Sequence, residues 1–529
     1  MDVSQWYAVV FLSLLASVAL VYLFIFAASR VNTATCVRRL ACRNVPAVLQ
    51  GSDMAAWLDY AVLFVFLLAN VLVLAIGNRD ATGFIRRSAS LSLANFVPLF
   101  LGSQINSVAN VLGLRLRTHS RMHRWLGRVV VVESLVHVIA VVAQHKPDVH
   151  QRSDVAGIVA AIALFTIAVS GVLRQRLHEL FLVLHFVLYV AAIASVFVHS
   201  RATTASAYPT ICLLVAISLL GATAALRVGL VLYRSVPYKQ RPPNRASVRT
   251  VAFKTRNGAD MVLSDVVHVH IELARPWRLQ AGQYAYLWIP GVSPTAFAQL
   301  HPFYVAWRYR KEDKDYAIFI VQTKRGFTRR LADHRYDTEP MLAAVEGPYG
   351  KQLHLDDYGT VLLMATGIGI AGQLPYVSQL LEGYHNCEVR TKKIALYWQV
   401  DRDIQTAWVA DQMQELLNKD TGLILDIHVY VLDASAICLL DSADGRDRAA
   451  SGQVVRLGER IDVTYKAIQA TDILDFELGR RKGRMVVSLC VDNETRTDVY
   501  RVLGKNADKN VSVKELDFNP TRGKRFGLI

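Results

Sequence analysis

The chain runs to 529 residues with 53% hydrophobic side chains and a formal net charge of +16; that length exceeds one ordinary core and that apolar share exceeds a soluble enzyme's, so part of it belongs in a bilayer. The basic excess does not indicate nucleic acid, because much of it sits in short loops between apolar runs, where Lys and Arg mark cytoplasmic faces, and no nucleic-acid-binding module is visible. Six cysteines, scattered without a repeated Cys-x-x-Cys, suggest neither a disulfide scaffold nor a zinc or iron–sulfur site.

Taken in chain order, seven runs approach the roughly 20 apolar residues that a spanning helix needs: 6–28, 57–77, 91–112, 123–143, 155–173, 180–198 and 208–232. The first is long for a signal peptide and has Asp2 where a basic region belongs, so it reads as a retained helix. Basic residues follow the first run (Arg30, Arg38, Arg39, Arg43), the third (Arg115, Arg117, Arg121, Arg124), the fifth (Arg174, Arg176) and the seventh (Arg234, Lys239, Arg241, Arg245), which makes those loops cytoplasmic. The expected topology has the N-terminus outside and everything beyond Tyr233 in the cytosol. Arg79, Arg86 and Arg87, in the expected second loop, oppose it and are outnumbered.

Ionisable side chains inside spanning helices are expensive, so each needs a partner or a function. His123 and His137 stand fourteen residues apart on the fourth run, and His185 and His199 fourteen apart on the sixth. At 3.6 residues per turn, that spacing returns to nearly the same face about 21 Å further along. The two runs point the same way, so the expected pairs are His123 with His185 near the cytosol and His137 with His199 near the outside. Two imidazoles facing one another across a gap suit the axial positions of a haem, with both sides of the iron then filled. Any one of these histidines could equally serve as a hydrogen-bonding or interfacial group; the matched pairs carry the haem reading. His119, His145, His150 and His178 lie in or beside loops and read as solvated or interfacial.

After a Pro-rich linker, 236–245, alternating stretches such as Val266-Val-His-Val-His-Ile-Glu-Leu273 and 284–289 read as strands of a small barrel or sandwich. An apolar strand, 360–365, leads into Gly367-Ile-Gly-Ile-Ala-Gly372, a helical stretch through Leu381 and a second strand, 394–398. Glycines between strand and helix let the backbone approach a pyrophosphate at the positive end of the helix. An ordinary strand-to-helix turn is the plain alternative. Glu346-Gly-Pro-Tyr-Gly350, just before, looks like a domain-joining turn.

The paired histidines with His123-Arg-Trp-Leu-Gly-Arg128, the stretch Gly282-Gln-Tyr-Ala-Tyr-Leu-Trp-Ile-Pro-Gly291, His301-Pro-Phe-Tyr304 and Ala365-Thr-Gly-Ile-Gly-Ile-Ala371 together resemble the ferric reductase transmembrane proteins, especially the fungal plasma-membrane group related to the NADPH oxidases. The resemblance implies a multi-domain membrane protein: an α-helical transmembrane haem bundle over 1–235, a cytosolic ferredoxin-reductase-like FAD β-barrel over 245–355 and an α/β NADPH-binding domain over 356–520. The polar stretch 432–478 matches none of this and reads as a surface insertion.

By the same resemblance, His301, Pro302, Phe303 and Tyr304 line the FAD, with Tyr304 standing where the family usually has serine or threonine. Lys324-Arg-Gly-Phe-Thr-Arg-Arg330 looks like the second flavin segment, its Gly326, Phe327 and Thr328 receiving the FAD pyrophosphate. Gly367, Gly369, Ile370 and Ala371 would bind the NADPH pyrophosphate, without the proline that many relatives place after the alanine. Arg402 could meet the 2′-phosphate, although Asp401 and Asp403 flank it. Cys490 stands where relatives place a Cys-Gly pair near the nicotinamide, here with Val491 in place of the glycine.

The implied function is a ferric-chelate reductase passing electrons from cytosolic NADPH through FAD and two b-type haems to extracellular ferric or cupric chelates. A superoxide-generating NADPH oxidase is the alternative. No acid–base pair is required for the final transfer. The implied setting is a multi-pass plasma-membrane protein in the lipid bilayer, with a downstream iron permease or oxidase as partner class; oligomeric state is not readable. A silent membrane sensor is disfavoured by the intact histidine pairs and the nucleotide glycines, and a proton-relaying transporter by the appended flavin motif.

Overall fold

The computed structural model describes residues 57–76, 80–101, 116–145, 147–175, 177–203, 207–237, 242–254, 260–294, 296, 299–334, 339–350, 352–433, 454–457, 460–505, 510–517 and 520; the expected span 6–28 lies outside them. The chain divides into two compact units, one ending at Leu226 and one beginning at Arg227.

In the first unit, α1 (Trp57–Ala75), α2 (Ala81–Leu101), α3 (Leu116–Gln144), α4 (Arg152–Ser170) and α5 (His178–Thr203) precede α6 (Ala207–Ser235), which runs on into the second unit. Four stretches of these are long and apolar enough to cross a membrane: Ser120–Gln144, Arg152–Ser170, Glu179–Arg201 and Thr210–Ser235. Their outward faces are apolar, as lipid solvation requires: Val132, Ile139, Phe165 and Phe186 are 58–60% exposed. Inside, Phe96 and Phe100 of α2 pack with Val130 of α3, Ala163 and Leu164 of α4, Ala192 of α5 and Leu213 of α6. The expected third span differs: α2 starts at Ala81, so Arg86 and Arg87 are helical and not in a loop. Arg87 is held by donating to the carbonyls of Val73, at 3.3 Å, and Ile76, which is how a cation near a helix end is satisfied. His119 likewise falls within α3, and His178 opens α5.

A polar cluster sits in this apolar interior. Asn95 of α2 is fully buried and donates through Nδ2 to Asn70 Oδ1 of α1 at 2.9 Å and to the Glu133 carboxylate of α3 at 2.8 and 3.0 Å.

The second unit opens with a barrel-like pair of sheets. β1 (Arg245–Lys254), β2 (Asp260–Glu272), β5 (Trp307–Lys311), β6 (Lys314–Gln322) and β7 (Met341–Leu342) form one, in the order β5-β6-β2-β1-β7; β3 (Tyr284–Trp288), β4 (His301–Tyr304) and β8 (Ala344–Tyr349) form the other, in the order β4-β3-β8. Alternation on β2 turns Val267, Val269 and Ile271 inward, where they meet Leu287 of β3, Phe319 of β6 and Val345 of β8 in one core. α7 (Phe327–Asp333) follows β6 and seals that core with Phe327 and Leu331.

Next come β9 (Thr360–Thr366), α8 (Ile370–His385), β10 (Lys393–Arg402), α9 (Ala410–Lys419), β11 (Leu425–Asp433), β12 (Val454–Leu457), β13 (Ile461–Thr464), α10 (Ala470–Gly479), β14 (Met485–Cys490), α11 (Asn493–Lys505) and β15 (Val511–Glu515). The sheet order is β12-β13-β11-β10-β9-β14-β15, parallel except for β12. Every residue of β9 and β14 is buried, the pattern of strands covered on both faces. The expected surface insertion over 432–478 differs from the fold from residue 454 on. β13 pairs in parallel with β11, and Ala470, Ile473 and Leu474 of α10 pack on Leu362 and Met364 of β9, so these short elements complete the sheet.

Candidate functional site

α3 carries His123 and His137, and α5 carries His185 and His199. The ring centres of His123 and His185 are 6.3 Å apart and those of His137 and His199 are 6.4 Å apart, with ring planes at 67° and 68°. Fourteen-residue spacing on two helices thus produces two equivalent pairs. An imidazole nitrogen lies about 1.1 Å from its ring centre and binds a metal at about 2.0–2.1 Å, so two imidazoles on opposite sides of one ion have centres about 6.3 Å apart. Both pairs fit that requirement.

The neighbours set the tautomers. His137 donates from Nδ1 to the Ile85 carbonyl at 3.1 Å, with Ser88 Oγ 3.4 Å away, and His199 donates from Nδ1 to the Ser153 carbonyl at 2.8 Å. A neutral imidazole with its proton on Nδ1 leaves Nε2 as the ligand atom. On the other pair, His185 Nδ1 is buried with no hydrogen-bond partner among the described residues. Those residues hold no group of three His, Cys, Asp or Glu side chains able to take a metal ion.

In the second unit, β4 brings His301, Pro302, Phe303 and Tyr304 to the edge of the small sheet. Gly326, at φ +70°, turns the chain into α7. The turn stacks Phe327 on His301 with ring centres 4.1 Å apart, and Thr328 Oγ1 accepts from the Lys324 amide at 2.9 Å. The two expected flavin segments therefore meet.

β9 ends in Gly367 at φ +49°, whose carbonyl accepts from Trp398 Nε1 at 2.9 Å. Gly369 starts α8 under close pressure, because a Cβ there would stand 2.1 Å from the Cys490 carbonyl and 3.2 Å from its Sγ. With β10 on one side of β9 and β14 on the other, this glycine turn sits where the strand order reverses, the position at which nucleotides bind in open α/β sheets. Ile370 and Ala371 form the first turn of α8 and are buried. Cys490 is the last residue of β14, and burial pushes its thiol up, opposed in part by a hydrogen bond with Tyr304; the group is a neutral thiol. Tyr304 also abuts the helix start, since a Cβ on Gly372 would lie 3.1 Å from its ring and 2.5 Å from Leu516. Arg402 closes β10, its Nη2 3.7 Å from the Asp265 carboxylate of β2.

The expected site residues fall into a membrane set and a second-unit set, each internally gathered. Sequence inspection missed their supports. A Cβ on Gly157 of α4 would stand 2.9 Å from His199 Nδ1, and this glycine inside an apolar helix was the only available signal. Gly372 closes the glycine stretch already legible in the sequence, whereas Leu516 and Asp265 carry no local signal.

Barrel, switch-point sheet and histidine-bearing bundle together are the fold of membrane-borne oxidoreductases that bind a flavin and a nicotinamide nucleotide. Three family models match in chain order: the ferric reductase like transmembrane component over 88–196, an FAD-binding domain over 251–353 and the ferric reductase NAD binding domain over 358–456. The chain belongs to the ferric reductase transmembrane family. Ferric reductase transmembrane component 6 of Saccharomyces cerevisiae is 21% identical over 429 residues, covering 76% of this chain and 56% of that protein. Ferric/cupric reductase transmembrane component 2 of the same yeast is 26% identical over 310 residues, 56% of this chain and 40% of that protein, and component 7 is 25% identical over 368 residues, 66% and 55%. The chain spans 40–56% of the length of these relatives.

Proposed function

We propose that the chain is a ferric-chelate reductase. It takes electrons from NADPH in the cytosol and delivers them across the plasma membrane to Fe(III), and by the same route Cu(II), held by extracellular ligands. The observation that carries this reading is the two imidazole pairs, each at the spacing of two ligands on one metal ion. The names of the yeast relatives, ferric and ferric/cupric reductase, support a metal acceptor.

In this reading residues 1–235 form the haem bundle, 245–355 the FAD domain and 356–520 the NADPH domain. When bound, FAD and two b-type haems supply the relay that turns a hydride into single electrons at the outer face. The chain's own residues provide position and potential. His123 with His185 and His137 with His199 would hold the two haems, one pair to each, and the final electron transfer needs no acid–base pair. The Ile85 and Ser153 carbonyls hold two of those rings in the ligating tautomer. His301 to Tyr304 and the Gly326 turn would hold FAD; Gly367, Gly369, Ile370 and Ala371 would hold the nucleotide pyrophosphate, with Arg402 on its 2′-phosphate. Cys490 and Tyr304, both buried and hydrogen-bonded to one another, stand beside the nucleotide turn. The reduced metal would pass to an uptake partner, an iron permease or oxidase.

A reduced-minus-oxidised spectrum of membranes given NADPH, with and without an extracellular ferric chelate, tests this. Bands of b-type haem that appear with NADPH and disappear with the chelate, and that fail in His137→Ala, are expected. Reoxidation by oxygen alone would transfer the chain to the superoxide-generating oxidases, and an absence of haem bands would refute the histidine assignment.

A further inference from the structure

Arg402 ends β10 at the C-terminal edge of the sheet, one strand from the switch point, where the adenosine ribose of a nucleotide reaches in folds of this class. A cation there selects a 2′-phosphate. In this chain the cation is already engaged, with Nη2 3.7 Å from Asp265 Oδ2 on β2 of the flavin barrel. Asp265 is fixed in place. Trp408 Nε1 donates to its Oδ1 at 3.2 Å and Gln405 Nε2 to its Oδ2 at 3.5 Å. Trp408 is itself fully buried, and its carbonyl is 2.8 Å from His268 Nε2. The Arg402 side chain, by contrast, is 51% exposed and can swing. Of the acidic neighbours in sequence, Asp403 is buried and accepts from the Ile404 amide at 2.7 Å and Asp401 is exposed; Asp265 is the carboxylate at ion-pair distance from the guanidinium.

We propose that Asp265 is a specificity-determining residue: its carboxylate competes with the 2′-phosphate for Arg402 and so narrows the discrimination between NADPH and NADH. The proposal rests on the reading that Arg402 receives that phosphate. A phosphate offers the guanidinium a stronger, bidentate partner. To reach it, the phosphate must displace Asp265 and then sit beside a fixed negative charge. A nucleotide with a plain 2′-hydroxyl displaces nothing and leaves the pair intact. Removing the charge while keeping an acceptor for Trp408, as Asp265→Asn does, therefore favours the phosphorylated nucleotide alone.

The test uses the full-length protein in detergent, with adenosine 2′,5′-bisphosphate and AMP as probes in calorimetry and with KM for NADPH and NADH measured in parallel. Asp265→Asn is expected to tighten the bisphosphate about two- to fivefold, the range spanned by an exposed ion pair, and to leave AMP unchanged. Asp265→Glu should restore the wild-type ratio, and Arg402→Met should abolish the preference for the bisphosphate. If Arg402→Met loses the preference but Asp265→Asn leaves the ratio untouched, or weakens both probes together, Asp265 has no such role and the cofactor reading survives. If Arg402→Met binds the two probes in the wild-type ratio, the phosphate assignment fails and the role of Asp265 fails with it.

Discussion

Gly157→Ala is the smallest change that should separate one histidine pair from the other. An alanine Cβ would stand 2.9 Å from His199 Nδ1 and 3.0 Å from its Cε1, about 0.5 Å inside ordinary van der Waals contact. The helix backbone of α4 fixes that Cβ, so the ring must move. It is held by the bond from Nδ1 to the Ser153 carbonyl on the same helix, 2.8 Å long. Breaking that bond leaves a buried donor unsatisfied at about 1–3 kcal/mol, and the displaced ring loses its 6.4 Å spacing from His137. Loss of an outer-sphere partner of this kind lowers metal affinity about 10- to 100-fold. Alanine is the better helix former by about 1 kcal/mol, so any loss runs against helix propensity. Gly221→Ala, where the Cβ meets nothing within 4 Å, is the control. Pyridine haemochromogen analysis with a redox titration of purified protein gives the readout. Wild type and Gly221→Ala should hold two haems; Gly157→Ala should lose the one at His137 and His199 or shift its midpoint alone. Two haems with both midpoints unchanged would refute the reasoning.

Gly372→Val should slow flavin reduction by NADPH at least about tenfold through overpacking against Leu516 and Tyr304, with haem content unchanged; stopped-flow flavin bleaching measures it. Gly326→Ala forces an L-residue into φ +70°, ψ −133°, a region populated almost only by glycine, at a strain of about 1–3 kcal/mol, and should lower the flavin-to-protein ratio of the purified enzyme. Burial first, then Arg249 and His268, push the His270 imidazole from 6.5 down to about 3. The unfolded chain then binds the extra proton between those values, so the barrel's stability is full above pH 6.5 and falls as pH drops toward 3, by at most about 1.4 kcal/mol per unit. His270→Gln should flatten that slope in urea unfolding followed by tryptophan fluorescence at pH 7 and pH 5, and an unchanged slope would count against it.

The parts legible in the sequence are those that a local period or a short motif can carry. The fourteen-residue histidine spacing is a statement about one helix at a time, and two such statements are enough to bring four rings into two pairs. The glycine turn at Gly367 announces itself between an all-apolar strand and a helix. What stayed hidden depends on contacts between distant segments. Gly157 cradles a histidine on another helix, and Asp265 meets Arg402 from a different sheet. The strands Val454–Leu457 and Ile461–Thr464 are four residues each and carry charged neighbours, too short for alternation to separate them from a polar loop. Arg86 and Arg87 looked like loop charges because a cation in an apolar helix is costly, and only the carbonyls of Val73 and Ile76 reveal how Arg87 is accommodated.

The buried amide of Asn95 has a consequence for how the bundle assembles. In lipid, apolar helices slide past one another with little penalty, since tails and leucines are equivalent solvents. Asn95 reaches Asn70 on one helix and Glu133 on another at hydrogen-bond distance, and a slip of one residue, about 1.5 Å along either axis, would strand a polar group in hydrocarbon. The cluster therefore acts as a dowel through three helices. It fixes their mutual height, and with it the depth at which the histidines of α3 are presented.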